Sequence, residues 1–121
     1  MEIIKKHHIS FKNAINGIIW AFTTQPNFKI HISLSVTALI LGKIFNISRM
    51  EFLLIIFCIV FGIGGEMINT SIEAMTDLIT REWKKEAKIA KDVSAGMMLL
   101  IAFGTLIIGF YIFLPKIWDL F

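Results

Sequence analysis

Three long apolar stretches, separated by short polar segments, dominate the pattern of the chain. They cover about residues 28–47, 49–81 and 87–114, and Pro115 is expected to end the last of them. A helix of about 20 residues rises about 30 Å, the thickness of a bilayer core, so each stretch predicts a membrane-spanning helix. The middle stretch, about 33 residues and about 50 Å long as a helix, is expected to emerge from the membrane by one or more turns.

The N-terminal segment, about residues 3–24, has a different pattern. Its apolar residues recur at near-helical spacing, with Lys and Asn residues between them, and it has too little continuous hydrophobicity to span a bilayer. This pattern predicts an amphipathic helix that lies on the membrane surface. Pro26 interrupts the helical pattern, and Asn27 is a candidate cap for the helix that follows. Farther along, Ser48 and Glu51 have the spacing of a capping box at the start of the second span.

The composition agrees with a membrane protein that forms one domain, residues 1–121. Of the 121 residues, 56% are hydrophobic and only 17% are charged. A soluble domain of this size cannot bury so much apolar surface, because about a third or more of its chain must face water. The single cysteine, Cys58, excludes an internal disulfide and a C-x-x-C motif.

The distribution of basic residues predicts the orientation of the chain in the membrane. With three spans, the N-terminal arm and the loop between the second and third spans share one side. That side holds nine of the 12 Lys and Arg residues, namely Lys5, Lys6, Lys12, Lys29, Arg81, Lys84, Lys85, Lys88 and Lys91. The other side holds Lys43, Arg49 and Lys116. Because basic loops stay in the cytoplasm, we expect a multi-pass protein with a cytoplasmic N-terminus.

Four polar residues form a stripe near the end of the second span. Since each helical residue turns about 100°, Glu66, Asn69, Glu73 and Asp77 lie within about 80° of one another around the helix. Stacked carboxylates repel one another, and each costs several kcal/mol in an apolar region unless it is paired or metal-bound. Carboxylate and amide oxygens are hard ligands that suit Mg²⁺.

The surroundings of this polar stripe favour phosphoryl transfer. It lies on the predicted cytoplasmic half of the span, where ATP is available, and Lys91 and Asp92 can fold back to the same level. A lysine beside carboxylates can hold phosphates while Mg²⁺ bridges their oxygens. A buried glutamate could accept a proton from an alcohol at the membrane surface.

Two other interpretations account for polar residues in a span. Such residues can join helices by hydrogen bonds, although three unpaired carboxylates make poor helix contacts. Alternatively, membrane carboxylates bind protons or cations in a small ion-coupled transporter or channel subunit, which tends to hold them near the bilayer midplane. The crowding of the polar stripe toward the cytoplasmic end favours a nucleotide site over a transport site.

The segment "EMINTSIEAMTDLI", followed by "AKIAKDVSAG", resembles the signature of the small prokaryotic diacylglycerol kinases, which include the undecaprenol kinases. The upstream "SFKNAINGIIWAF" and "PNFKIH" match the N-terminal pattern of this family. The closing "GFYIFLPK" is similar to the Gram-positive-type members, which favours undecaprenol over diacylglycerol as the substrate. The resemblance covers nearly the whole chain.

This resemblance implies an all-α membrane protein with an N-terminal amphipathic surface helix and three transmembrane helices, assembled as a homotrimeric bundle with shared sites. It implies ATP- and Mg²⁺-dependent phosphorylation of a membrane lipid alcohol, undecaprenol or diacylglycerol, at the cytoplasmic face of a bacterial membrane. No nucleic-acid partner is expected.

The resemblance also implies roles for individual residues. Glu66 matches the general base of the family, and Glu73 matches a metal-ligating glutamate that also helps to hold ATP. Gln25 stands where many members have a second metal-binding glutamate, and its neutral amide oxygen can still bind Mg²⁺. The ATP-binding candidates are Lys6, Asn13, Gln25, Asn69, Glu73, Asp77, Glu82, Trp83, Lys84, Lys91 and Asp92. The lipid-substrate candidates are Lys6, Ser10, Ala14, Glu66 and Ala95.

Overall fold

The computed structural model describes residues 1–121 as four helices joined by short connections. In chain order these are α1 (Glu2–Thr24), α2 (Pro26–Ile44), α3 (Arg49–Ile79) and α4 (Lys85–Trp118). The predicted all-α class is therefore confirmed, and α3 and α4 are long and apolar enough to cross a membrane. The α2 helix falls short of the same criterion, since its 19 residues include Lys29, His31 and Lys43. A crossing by α2, and with it the count of three spans, stays a prediction.

Local sequence chemistry accounts for most of the helix ends. Gln25 is extended between α1 and α2, and Pro26 takes the start of α2, where its missing N–H costs no hydrogen bond. The predicted capping box is confirmed at α3. Its Ser48 hydroxyl accepts a bond from Glu51 N at 3.1 Å, and Glu51 Oε2 accepts a bond from Ser48 N at 2.7 Å.

Two predictions about helix ends are wrong. Asn27 does not cap α2, because the helix already begins at Pro26 and Asn27 lies inside its first turn. Pro115 does not end α4, which continues to Trp118. A proline in the last turn of a helix removes a single intrahelical hydrogen bond, and its φ angle is helical, so the backbone can continue for a short distance.

The α3 helix is the central element of the fold, since it packs along α4 and also against α2. By contrast, α1 contacts mainly α2 and buries only Ala21. Only 12 of the 121 residues are buried, so a single chain leaves most of its apolar surface to face lipid or other protein chains.

Contacts at two levels fix α4 against α3. At one end of the bundle, Ile47, Ile55 and Ile112 form a small core, and an ion pair of 3.5 Å joins Lys116 Nζ to Glu51 Oε2. These contacts hold the end of α4 beside the start of α3.

Toward the other end, α3 and α4 approach closely at Gly65. A Cβ atom on this residue would lie 2.6 Å from Ile101 Cδ1 and 3.2 Å from Met98 Sδ, so only glycine fits without a shift. Because Gly65 directly precedes Glu66, this close contact sets the position of the polar stripe relative to α4.

Candidate active site

Glu66 is a buried carboxylate whose two oxygens have different surroundings. Only 5% of the residue is exposed. Asn27 Nδ2 donates a hydrogen bond to Glu66 Oε1 at 2.9 Å, across from the first turn of α2. The other oxygen, Oε2, faces His31 Nε2 at 3.9 Å, which is too far for a hydrogen bond. One oxygen is thus held in place while the other remains able to accept a proton.

Glu66 also lines a cavity of about 640 Å³ between α2, α3 and α4, which we call the apolar cleft. Of its 21 lining residues 14 are hydrophobic, a composition that suits a hydrocarbon chain. On α4 the lining runs from Ala95 to Phe113, about 27 Å along the helix and close to the thickness of a bilayer core. Ala95, a predicted lipid contact, therefore lies in the same cleft as the predicted base.

Asn69 links α4 to the next carboxylate of the stripe. Ser94 Oγ donates to Asn69 Oδ1 at 2.6 Å, and Asn69 Nδ2 donates to Glu73 Oε1 at 3.4 Å. Ser94 and Asn69 are buried, at 3% and 7% exposed, whereas Glu73 is exposed. The buried pair therefore directs an amide toward a carboxylate that remains accessible to a ligand.

The exposed end of the stripe is paired with α4. Lys91 Nζ lies 2.6 Å from Asp77 Oδ1, and both side chains are roughly half-exposed. Asp92 forms an ion pair with Lys88, one turn earlier on the same helix. The predicted fold-back of Lys91 to the level of the stripe thus takes the form of a direct contact with Asp77.

The connection between α3 and α4 holds the remaining predicted nucleotide contacts. Lys84 lines a second cavity, of about 320 Å³, together with Thr76, Thr80 and Glu86. Glu82 and Trp83 are exposed beside it, and Trp83 shows 76% of its surface. An exposed tryptophan next to a lysine is free to stack on the planar base of a nucleotide.

Several predicted residues are not brought to Glu66. Gln25 Nε2 bonds to the neighbouring Thr24 Oγ1 at 3.2 Å and makes no contact with Glu73. The predicted ATP and lipid contacts on α1 are exposed and take part in no side-chain hydrogen bond or ion pair. They are Lys6, Ser10, Asn13 and Ala14. Within one chain, the polar stripe, the start of α2 and α4 form the site without α1.

Three residues of the site escaped the sequence analysis, namely Asn27, His31 and Ser94. Asn27 directly follows Pro26 at a helix start, so the sequence suggests a cap rather than a partner for Glu66. His31 lies in the segment "PNFKIH" and Ser94 in "AKIAKDVSAG", both of which match the family, but the resemblance implied no role for either residue. Asn27 and His31 are four residues apart and so share one face of α2, but only packing identifies their partner as Glu66.

The residues present fit a Mg²⁺ ion that is shared with a nucleotide. No three His, Cys, Asp or Glu side chains gather closely enough to hold a metal by themselves. Glu73 is exposed and can supply a carboxylate oxygen. Because Mg²⁺ commonly takes its other ligands from substrate phosphates and water, one protein carboxylate is a sufficient anchor.

Comparison with known proteins identifies the family of this chain. Residues 12–113 match the family model described as prokaryotic diacylglycerol kinase. The chain belongs to the prokaryotic diacylglycerol kinase family. The match covers more than half of the chain and includes Glu66, the apolar cleft and the paired residues of α4. The family predicted from the sequence is thereby confirmed.

Two relatives extend the comparison. The chain is 39% identical over 109 residues to the undecaprenol kinase of Bacillus subtilis, a match that covers 89% of this chain and 88% of the relative. It is 33% identical over 115 residues to the diacylglycerol kinase of a Synechocystis species, covering 93% of this chain and 65% of that longer protein.

Membership in the family makes this kinase a membrane protein that transfers phosphate from ATP to a lipid. The alternative of an ion-coupled transporter or channel subunit is set aside. A kinase needs a base beside the acceptor and a water-facing site for the nucleotide. The buried and exposed ends of the stripe provide these two environments.

We predict that Asn27→Ala lowers lipid phosphorylation by about ten- to a hundredfold, the equivalent of the 1.5–3 kcal/mol of a hydrogen bond to a charged group. The reason is that Glu66 Oε1 loses its donor and the carboxylate can rotate away from the acceptor. The measurement is the initial rate of phosphate transfer by purified protein in lipid bilayers. Asn16→Ala, an exposed change on α1, serves as the control. Equal rates for both variants would contradict a role for Asn27.

Proposed function

We propose that this kinase transfers the γ-phosphate of ATP to the hydroxyl of undecaprenol at the cytoplasmic face of a bacterial cell membrane. The observation that carries the proposal is the position of Glu66, a buried carboxylate with one free oxygen at the head of the apolar cleft. A single hydrocarbon chain that lies along the cleft would present its terminal hydroxyl to that oxygen.

Two considerations favour undecaprenol over diacylglycerol. A diacylglycerol carries ester carbonyls beside its hydroxyl, and unpaired polar groups are costly to bury in a cleft whose lining is mostly hydrophobic. A polyprenol has no such groups. In addition, the relative named undecaprenol kinase matches 88% of its own length at 39% identity, whereas the diacylglycerol kinase matches 65% of its length.

In the proposed reaction Glu66 acts as the general base. Its Oε2 accepts the proton of the lipid hydroxyl while the hydroxyl oxygen bonds to the γ-phosphorus of ATP. The bond between that phosphorus and the oxygen bridging to the β-phosphate breaks, and ADP leaves. Asn27 holds the carboxylate through Oε1. Burial of Glu66 keeps bulk water from competing with the lipid alcohol as the acceptor.

The exposed half of the stripe is proposed to bind the nucleotide. Lys91, held by Asp77, would contact the phosphates, and Trp83 and Lys84 would lie near the base and ribose. Glu73 would hold Mg²⁺, and Gln25, which does not contact Glu73 within one chain, would add a weaker neutral ligand from a neighbouring copy. Such an ion neutralises charge on the β- and γ-phosphates. Asn69, bonded by Ser94, orients the Glu73 carboxylate. The other predicted ATP contacts are Asn13, Glu82 and Asp92.

The active assembly is proposed to be a homotrimer with shared sites. One chain buries only 12 residues and leaves Glu73 and Asp77 uncovered. The α1 helix has few contacts within its own chain and carries Lys6 and the predicted lipid contacts Ser10 and Ala14. A neighbouring copy of α1 could cover the exposed stripe. The number three rests on the family resemblance, and the cytoplasmic orientation rests on the distribution of Lys and Arg.

We predict that Glu66→Gln leaves a folded protein but removes most phosphorylation, a loss of about 10²- to 10⁴-fold. The substitution keeps the size of the side chain and an oxygen that can accept the Asn27 bond, but glutamine cannot take up the proton. The assay offers undecaprenol and diacylglycerol in the same bilayer with labelled ATP. The wild type should phosphorylate undecaprenol faster. A preference for diacylglycerol would contradict the substrate assignment, and near wild-type turnover by Glu66→Gln would contradict the base.

We predict that Glu73→Ala raises both the Mg²⁺ concentration needed for activity and the apparent KM for ATP, because it removes the main anionic ligand. Gln25→Glu should lower the Mg²⁺ requirement, since it adds a second charged ligand. The measurement is a Mg²⁺ titration of activity at several fixed ATP concentrations. If the Mg²⁺ titration curves of both variants coincide with the wild-type curve, the metal is bound elsewhere.

We predict that an inactive Lys6→Ala chain and an inactive Glu66→Gln chain recover part of the activity when they are mixed in one oligomer. Rescue is expected because Lys6 of one copy would serve Glu66 of another. Glu66→Gln mixed with Glu73→Ala is the matched control, since both residues lie on the same face of α3 and should serve one site. Cross-linking verifies the mixed oligomers. Absence of rescue in the first mixture, or activity in a verified monomer, would overturn shared sites.

A further inference from the structure

We propose that His31 contacts the lipid substrate, with its Nε2–H donating a hydrogen bond to the hydroxyl oxygen that Glu66 deprotonates. This inference rests on the proposed function and adds a second contact to the reacting atom. It arises from the gap between the His31 and Glu66 side chains.

The separation of the two atoms lets both bond to one oxygen that lies beside the line joining them. His31 Nε2 and Glu66 Oε2 are 3.9 Å apart, too far for a direct hydrogen bond. Two atoms at this separation can both lie within hydrogen-bond distance, about 2.7–2.9 Å, of a single oxygen to one side of the line between them. An alcohol there would accept from His31 and donate to Glu66. Since Asn27 occupies Oε1, Oε2 is the oxygen that receives the proton.

The imidazole ring packs against Gly62, one turn before Glu66 on α3, and leaves room there only for a small side chain. A Cβ atom on this buried glycine would lie 3.5 Å from His31 Nδ1 and 3.7 Å from Cε1. The ring therefore lies over Gly62 and reaches along the helix toward Glu66. A single methyl group at residue 62 would only touch the ring, whereas a longer side chain would displace it.

His31 and Glu66 both line the apolar cleft. A lipid chain that lies in the cleft would therefore bring its hydroxyl to both groups together. In the reaction the proton passes from the hydroxyl to Glu66 Oε2, and His31 keeps its own proton throughout. Its contribution is to fix the oxygen so that a lone pair faces the γ-phosphorus.

A competing explanation treats His31 only as a positive charge that stabilises Glu66. The two explanations differ for His31→Gln, because glutamine offers an N–H donor but no charge. If the hydrogen bond to the alcohol matters, His31→Gln should retain much more activity than His31→Leu. If charge matters, the two variants should be equally impaired.

The test compares wild type, His31→Leu and His31→Gln, each purified in bilayers with ATP and undecaprenol. We expect His31→Leu to lose about tenfold or more in kcat/KM for the lipid, the size of one lost hydrogen bond. His31→Gln should recover most of that loss. The KM for ATP and the binding of a fluorescent ATP analogue should stay unchanged in both variants. Wild-type values for His31→Leu, or equal losses for both variants, would overturn the inference.

A second pair of variants tests the proposed contact of His31 with the lipid hydroxyl even if His31→Leu does not fold. Gly62→Leu pushes the ring away from Glu66 and should lower kcat/KM for the lipid. Gly64→Leu should not, because a Cβ atom on Gly64 would have no neighbouring atom within 4 Å. Equal rates for this pair would also overturn the inference. The proposed function fails separately, if the wild type phosphorylates neither lipid or Glu66→Gln remains active.

Discussion

A carboxylate buried beside an apolar run must be paired or hydrogen-bonded, and the bond from Asn27 to Glu66 meets this requirement across 39 residues of sequence. An unpaired carboxylate in such a place costs several kcal/mol. The break at Gln25 and Pro26 places Asn27 in the first turn of α2, opposite α3. The bond thus ties the turn between α1 and α2 to the central helix, and it leaves Oε2 as the oxygen that we propose accepts the proton.

The polarity of α3 changes along its length, and we propose that this change separates the two substrates of the lipid kinase. Glu66 lies buried beside a cleft with a mostly hydrophobic lining, whereas Glu73 and Asp77 are exposed. Between them, Asn69 is bonded to Ser94 of α4. A lipid can approach from the apolar side and a nucleotide from the water side. Their reacting atoms would then meet where the polarity changes, at Glu66.

The close packing of α3 on α4 preserves this arrangement, although the chain has little interior of its own. Gly65 lets α4 approach directly beside Glu66. At the far end, the small core and the ion pair of Lys116 with Glu51 keep the two helices in register. Few contacts hold α1, so that helix is free to serve a neighbouring chain in the proposed trimer.

The sequence by itself determined the helices and the polar stripe, because both depend on local periodicity. The spacing of Glu66, Asn69 and Glu73 puts them on one helix face wherever the helix lies, and the capping box of Ser48 and Glu51 involves only neighbours. The family could also be predicted from the sequence, since its signature is a contiguous motif. The return of Lys91 to the level of the stripe was also predictable, because only a short connection separates α3 from α4.

Only the tertiary structure decided which residues meet the stripe from other helices. Asn27 has the sequence context of a helix cap, and the family segments that contain Ser94 and His31 do not indicate which residues these two contact. Their partners depend on how α2 and α4 are rotated and shifted against α3, which small contacts such as those at Gly62 and Gly65 determine. Periodicity along a chain does not encode these relative positions. The hydrogen bond to Glu66, and with it the oxygen that remains free for the proposed proton transfer, therefore follows from packing alone.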